Sequence, residues 1–356
     1  MKPLPDKDLE HILNYTRPLW DNLRSRRLFL TGGTGFFGAW LVESLSYCNR
    51  RLNLQMEAAI LSRDPESFLR RMPHLSGDPA LRLVRGDIRD FTFPEGGFDF
   101  VLHAAAPTST DAASRPTELL SILLDGTRHV LAFARAAGVG KFLFVSSGAV
   151  YGPQPPTLSH IPEDYLGGPD WLNPAAAYAE GKRIAEQICA LHAVDSEMRV
   201  RIARCFAFVG PHLPLDQHFA IGNFIRDALS GRDIQIRGDG TPMRSYLYAA
   251  DLMIWLWTIL LREAEPEIRT QVFNVGSGDA ISIRALAREV VGALGVGVKI
   301  EIARQPSPGA PLLQYVPDVR KAEATLGLKP LIGLRDAIRR TAAWHLGWQP
   351  DPSLVN

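Results

Sequence analysis

The chain has 356 residues, 46% hydrophobic and 22% charged, with a formal net charge of +1 at pH 7. That length and balance suit a globular enzyme of one large or two intimate domains, and the near-neutral charge argues against nucleic acid or an anionic membrane as the main partner. Cys48, Cys189 and Cys205 are scattered without a metal-ligand pattern, Met1 to Glu10 lacks a leader-like apolar core, and the most apolar run, Leu252 to Leu261, is too short to span a bilayer, so a cytoplasmic protein with free buried thiols and no metal is expected.

Residues 1–26 precede the first strand. Within them Leu9, Ile12, Leu13, Leu19, Trp20 and Leu23 recur at roughly helical spacing, interrupted by Pro18, which reads as an accessory helix packed on a domain surface. Leu28 to Leu30 then reads as a buried parallel strand, followed by a glycine turn and a helical pattern from Ala39 to Tyr47. Gly32 permits a tight turn, Gly35 lets backbone approach a pyrophosphate, and Gly38 lets the helix sit close to the strand. With Phe36 and Phe37 at its start, the helix N-terminus offers unspent N–H groups and a partial positive charge to the phosphates.

Met56 to Leu61 is the second strand, ending where a dinucleotide's adenosine ribose lies in this arrangement. An acid there favours NAD, whereas this chain has Ser62-Arg63, which suits the 2′-phosphate of NADP; Asp64, one residue on, is placed to reach a ribose instead. The cofactor is therefore read as NAD(P), with NADP ahead. Leu81 to Val84 is the third strand, and Asp87 and Ile88 after it suit an adenine pocket or, for Asp87, a turn cap. Phe98 to Leu102 is the fourth, leading into His103, Ala104 and Ala105; the small residues leave room for the dinucleotide, while His103 has the look of a packed structural histidine. A helix over Leu119 to Ala137 and a fifth strand over Lys141 to Val145 complete a doubly wound parallel α/β sheet.

The fifth strand delivers Ser146-Ser147-Gly148-Ala149-Val150-Tyr151-Gly152, and about thirty residues on Tyr178-Ala-Glu-Gly-Lys182 opens a helix. Tyrosine and lysine four apart share a helix face. A lysine ammonium favours the phenolate of a neighbouring tyrosine, and a strand-end serine hydroxyl can hold the substrate oxygen whose proton that tyrosine takes. Beside a nicotinamide this is a hydride-transfer site for a secondary alcohol and its ketone, with Ser147, Tyr178 and Lys182 catalytic.

Thr31-Gly-Gly-Thr-Gly-Phe-Phe-Gly38, Ser147 and Tyr178-x-x-x-Lys182 together resemble the extended short-chain dehydrogenase/reductases, and among them the nucleotide-sugar epimerases, dehydratases and 4-keto reductases. The likeness runs from about residue 27 to 340. It implies a Rossmann domain over 27–205 and a smaller C-terminal α/β substrate-binding domain over 206–356, with possible chain exchange between them. Dehydratases of this kind follow the Ser147 position with Asp-Glu, which eliminate water. Here Gly148 and Ala149 stand there, so the pattern is closer to 4-epimerases and 4-keto reductases.

By the same resemblance Arg244 grips a substrate phosphate, and Asn223, in the helix-like His218 to Leu229, and Arg237 are substrate candidates. Arg237 reads equally as a solvated strand residue. Ala207 replaces a frequent substrate-contacting Asn, and Pro306 to Pro311 lacks a phosphate-binding arginine common nearby. A Pro-rich flap, Pro153 to Pro174, carries Glu163 and Asp164 as alternative proton carriers for a dehydratase. Trp255 and Trp257 lie in a helix apolar on most faces, which is core. The expectation is an NAD(P)-dependent enzyme acting at C4 of a nucleotide-activated hexose. Rivals are an atypical 4,6-dehydratase and a non-catalytic NAD(P) sensor. Relatives pair through the helices after the fourth and fifth strands, which implies a homodimer.

Overall fold

The computed structural model describes residues 2–107, 114–217, 219–263, 265, 267–307 and 309–346. The short apolar runs form β1 (Arg27–Thr31), β2 (Glu57–Ser62), β3 (Leu81–Arg85), β4 (Phe100–His103), β5 (Lys141–Ser147) and β6 (Arg199–Cys205). The later half adds the two- and three-residue strands β7 (Phe208–Val209), β8 (Ile234–Ile236), β9 (Met243–Arg244) and β10 (Leu247–Tyr248), then β11 (Thr270–Val275), β12 (Ile281–Ser282), β13 (Ile300–Ile302) and β14 (Gln314–Tyr315). Seven strands make one sheet in the order β3-β2-β1-β4-β5-β6-β11. Every neighbouring pair in it is parallel. Helices cover both faces, which is why β1 and β5 are almost continuously apolar instead of alternating. Strand order reverses between β1 and β4, and the crevice at their carboxyl ends is where a doubly wound sheet takes its ligand.

The crossovers include α2 (Phe36–Leu52), α3 (Pro65–Arg71), α4 (Pro116–Ala136) and α5 (Ala177–Val194). One apolar core, built around Phe29, Phe133, Phe142 and Phe144, lies under α4 and α5. The other, larger core lies under α2 and extends through α6 (Ala220–Leu229), α7 (Ala249–Leu261), α8 (Ile283–Leu294), α9 (Arg320–Leu326) and α10 (Leu334–Leu346). Every residue of α7 is buried, Trp255 and Trp257 included, so the helix that is apolar all round is indeed core. All three cysteines are free and buried. No helix among the described residues is long and apolar enough to cross a membrane.

The N-terminal arm divides where its proline predicts. Helix α1 (Asp6–Thr16) stops two residues before Pro18, and Arg17–Leu23 continues as a 3-10 helix. The arm lies against α2 and α7, with the Trp20 and Trp257 rings 5.1 Å apart. It also reaches the last helix. Fully buried Asp8 accepts hydrogen bonds from the Tyr248 hydroxyl and from Arg340 Nη1, each at 2.7 Å, and Trp344 Nε1 donates to the Pro3 carbonyl at 3.0 Å. The segment after Cys205 does not stay apart from the first half, because β11 returns to pair with β6 along six residues, from Thr270↔Val200 to Val275↔Cys205.

Candidate active site

The glycine turn after β1 is shaped by contacts that only hydrogen tolerates. Gly32 has φ +78°, and a Cβ there would fall 2.6 Å from the Ala104 carbonyl carbon at the end of β4. A Cβ on Gly38 would fall 2.2 Å from the Gly32 oxygen and the Gly33 carbonyl carbon. Gly35 is different: it is exposed, and a Cβ there meets nothing nearer than 3.9 Å. The first two glycines let chain lie on chain, and the third leaves an open approach. Gly35 caps α2 with no side-chain hydrogen bond, so the amides of Phe36, Phe37 and Gly38 face outward unspent. Bare backbone, a helix N-terminus and open space at the switch point fit a pyrophosphate. The Phe37 ring turns inward, edge-on to Phe208 at 5.2 Å.

Around the adenosine end, two carboxylates have other duties. Asp64 caps α3, accepting from the Ser67 N–H at 2.9 Å, and that bond holds its carboxyl below the usual range. This occupies one oxygen of the acid that rivalled Ser62-Arg63 for the ribose. Buried Ser62 accepts from the Asp64 N–H through Oγ, and Arg63 is exposed. Asp87 is gripped by Arg89 Nε at 2.7 Å and Nη2 at 3.1 Å, so any adenine contact shares it with a guanidinium. Ile88 is buried with its side chain against Gly126 of α4.

His103 does not face the crevice. Its Nδ1 lies 2.8 Å from Thr31 Oγ1 and its Nε2 3.1 Å from Thr127 Oγ1. Thr127 spends its own proton on the Leu123 carbonyl at 2.6 Å, which assigns the ring proton to Nε2. Burial pushes this imidazole down to about 3, so it is a neutral tie between β1 and α4. The neighbouring Ala104 and Ala105 alone line the turn, with the Ala105 N–H donating to Thr31 Oγ1 at 3.3 Å.

The reacting groups converge where β5 ends. Ser147 is the last residue of β5 and caps the 3-10 turn Gly148–Tyr151. Tyr178 lies in the first turn of α5, and burial pushes its phenol up to about 12 while a hydrogen bond with Ser147 opposes the rise. Lys182, fully buried one turn later, donates to the Val145 carbonyl at 2.7 Å with its ammonium 4.6 Å from the centre of the Phe144 ring. The helix face is shared as the spacing predicts; one of the three ammonium N–H groups goes to strand backbone, and burial pushes the ammonium down to about 8.

Arg244 joins this group through a residue the sequence reading missed. Tyr315, paired in register with Arg244 across β14 and β9, lies near the Ser147 hydroxyl, and the Arg244 guanidinium sits 5.9 Å from its ring centre. Phe206 stacks on Tyr315 at 4.6 Å and presses its ring on Gly148, where a Cβ would fall 2.7–2.8 Å from three ring atoms. A two-residue strand has too little periodicity to flag Tyr315, and nothing local marks Phe206. Asn223 is half-buried on α6, and Arg237 is exposed just past β8; His218, the start expected for that helix, and Pro308 of the proline loop lie outside the described residues. Glu163 turns its carboxylate to the Asn274 N–H, which donates to it at 2.8 Å in a groove beside β11, and burial pushes that carboxyl above its usual range. Asp164 lines that same groove.

Residues 28–276 match the model of the NAD dependent epimerase/dehydratase family. The chain belongs to that family. Curated relatives include UDP-glucuronic acid decarboxylase 1 of Xenopus tropicalis, 27% identical over 317 residues (89% of this chain and 71% of the relative). UDP-glucuronic acid decarboxylase 3 of Arabidopsis thaliana is 28% identical over 313 residues, covering 88% of this chain and 86% of the relative. Among solved structures, MoeE5 in complex with UDP-glucuronic acid and NAD superposes with a TM-score of 0.73 at 25% identity, over 90% of this chain and 99% of that one. UDP-glucose 4-epimerase of Thermotoga maritima gives the same TM-score and coverage at 20% identity, a likeness of fold alone. Family membership makes this an extended short-chain dehydrogenase/reductase of the NAD-dependent kind, and the relatives named make the wider class one of nucleotide-sugar enzymes.

Proposed function

We propose that this protein oxidises or reduces C4 of a nucleotide-activated hexose, as a 4-epimerase or a 4-keto reductase. The observation that carries this reading is the placement of Ser147, at the end of β5, next to Tyr178 in the first turn of α5, with Phe206 filling the place where a dehydratase acid would stand. A bound nicotinamide supplies the hydride donor or acceptor. The protein's own groups then handle one oxygen. Ser147 holds the C4 oxygen, and Tyr178 gives it a proton when the ketone is reduced or takes one when the alcohol is oxidised. A phenol pushed up to about 12 rests protonated at neutral pH, which suits the reductive direction. Lys182 keeps a cation in the same low-dielectric space and is the residue to hold the nicotinamide ribose. Arg244 suits a substrate phosphate, with a fork of donors matched to its oxygens; Asn223 and Arg237 are the further substrate candidates. Exposed Arg63, with Asp64 spent as a cap, supports NADP over NAD. Half-exposed Ile184 and exposed Leu191 and Val194 on α5 support pairing of two copies through α4 and α5, which light scattering on the eluted protein tests.

A second reading has its own support in the decarboxylase relatives. Oxidising C4 of a uronic acid places a ketone β to the C6 carboxylate, and carbon dioxide then leaves without an acid at 148 or a base at 149. Purified protein incubated with UDP-glucose, UDP-glucuronic acid and 4-keto-6-deoxy nucleotide sugars, each with NAD or NADPH, separates the outcomes. Stoichiometric loss of NADPH absorbance supports the reductase, and sugar interconversion without loss supports the epimerase. Release of carbon dioxide from the uronic acid supports the second reading. A 4-keto-6-deoxy product from UDP-glucose would overturn the assignment, as would cofactor binding with no turnover at all.

A further inference from the structure

Three consecutive residues at the end of β5 each meet a different turn of α5. The Val145 carbonyl accepts from Lys182, the Ser146 hydroxyl donates to Glu186 Oε1 at 2.5 Å, and Ser147 lies beside Tyr178, near enough for its hydroxyl to lower the phenol. The middle tie is the unusual one. Glu186 is buried, and Arg204 near the end of β6 clamps it with Nε at 3.0 and 3.1 Å from its two oxygens and Nη2 at 2.7 Å from Oε2. The same guanidinium donates through Nη1 to the Glu163 carbonyl at 3.1 Å and lies 4.7 Å from the centre of the Tyr151 ring. Arg204 thus touches both the turn after Ser147 and the loop that leads to Tyr178.

A buried ion pair of this kind is expensive to desolvate and is weak support for a role in stability alone. Its placement suggests another use. We propose that Glu186, clamped by Arg204, is a positioning residue for the reacting pair: it locks the end of β5 against α5 so that Ser147 and Tyr178 meet at one substrate oxygen, and it sets a negative charge beside the Lys182 ammonium. The first half of this inference rests on the C4 reading; the second does not. The titratable groups facing Lys182 are Glu186 and Cys189 on its own helix, Cys205 at the end of β6 and His103 on β4. Of these Glu186 is the one carboxylate, since both thiols are pushed up by burial and His103 is neutral.

The test compares Glu186→Gln, Glu186→Asp and Ser146→Ala with the native enzyme. In Glu186→Gln, kcat is expected to fall about tenfold or more, as a slight misplacement of reacting groups costs, with KM within about threefold and cofactor affinity unchanged. Ser146→Ala removes only the link to β5 and is expected to show a smaller fall with the same split, so it decides the matter if Glu186→Gln does not fold. Glu186→Asp is expected to recover part of kcat. The titration of Lys182, followed by NMR of 13C-labelled lysine and identified by its loss in Lys182→Met, needs no turnover. It is expected to move to lower pH in Glu186→Gln and to stay in place in Ser146→Ala. Variants that lose melting temperature while kcat and the Lys182 titration stay native would overturn the proposal. A native enzyme inert on every sugar would sink the C4 reading and its half of the inference, and the titration would still decide the charge half.

Discussion

Burial acts on Tyr178 and Lys182 in the same sense, favouring the neutral phenol of the one and working against the ammonium of the other. Tyr178→Phe keeps the ring and removes only the proton carrier, so turnover is expected to fall about 10²–10⁴-fold while cofactor affinity, followed by nucleotide fluorescence, stays native. Near-native turnover would remove Tyr178 from the mechanism. Lys182 makes a prediction about stability. Burial lowers it from 10.5 to about 8, which disfavours the charged form by about 3 kcal/mol. Between about pH 8 and 10.5 the unfolded chain still binds a proton that the folded chain has released, so stability rises with pH across that window. Lys182→Met is therefore expected to be inactive yet more resistant to urea at pH 7, with its advantage shrinking as pH passes from 8 to 10.5. An advantage independent of pH would contradict this. The reacting residues were legible because their spacing is local. What was not legible is where each polar atom is spent: Asp64 on a helix cap, His103 on two threonines, Glu163 on a backbone amide.

Elements announce themselves when their burial is uniform. β1, β4 and β5 are apolar runs because helices cover both faces of the sheet, and their glycine and serine ends follow directly. β6 hid because Arg199, Arg201 and Arg204 interrupt its apolar residues. Arg201 is nevertheless buried, spending Nη1 on the carbonyls of Val200, Ile268 and Arg269, so a central strand carries the pattern of an exposed one. The glycine turn allows a discriminating pair of substitutions. Gly38→Ala forces a methyl into backbone 2.2 Å away and is expected to lower both melting temperature and cofactor affinity. Gly35→Ala meets nothing nearer than 3.9 Å, so the fold is expected to stay native while affinity for NAD or NADP falls. Equal losses of stability in the two would contradict this division of labour.

At the scale of the whole molecule, the two ends of the chain close on each other. Asp8 lies 332 residues from Arg340 and is buried against it and Tyr248, and Pro3 receives the Trp344 indole. The accessory arm was visible as an apolar spacing, but the role of Asp8 was not, since no sequence pattern reveals a partner that far away. Asp8→Ala leaves a buried tyrosine hydroxyl without its acceptor and the Arg340 guanidinium with Asp336 as its remaining carboxylate, at an expected cost of about 2 kcal/mol. Urea unfolding measures it. A loss within about 0.5 kcal/mol, as for an ordinary surface change, would mean that the arm is not part of the core.

The ring of Phe206 over Gly148 also constrains how this active site can change. An acid at 148 has no room until 206 has been trimmed, so the two substitutions matter in order. Gly148→Asp alone is expected to lower the melting temperature sharply, and Phe206→Ala is expected to remove most of that penalty, which melts of the two single variants and the double variant would show as strong non-additivity. A lineage moving towards elimination would first have to give up the ring contact of Phe206 with Tyr315. The absence of the acid is in this sense a barrier to acquiring new chemistry.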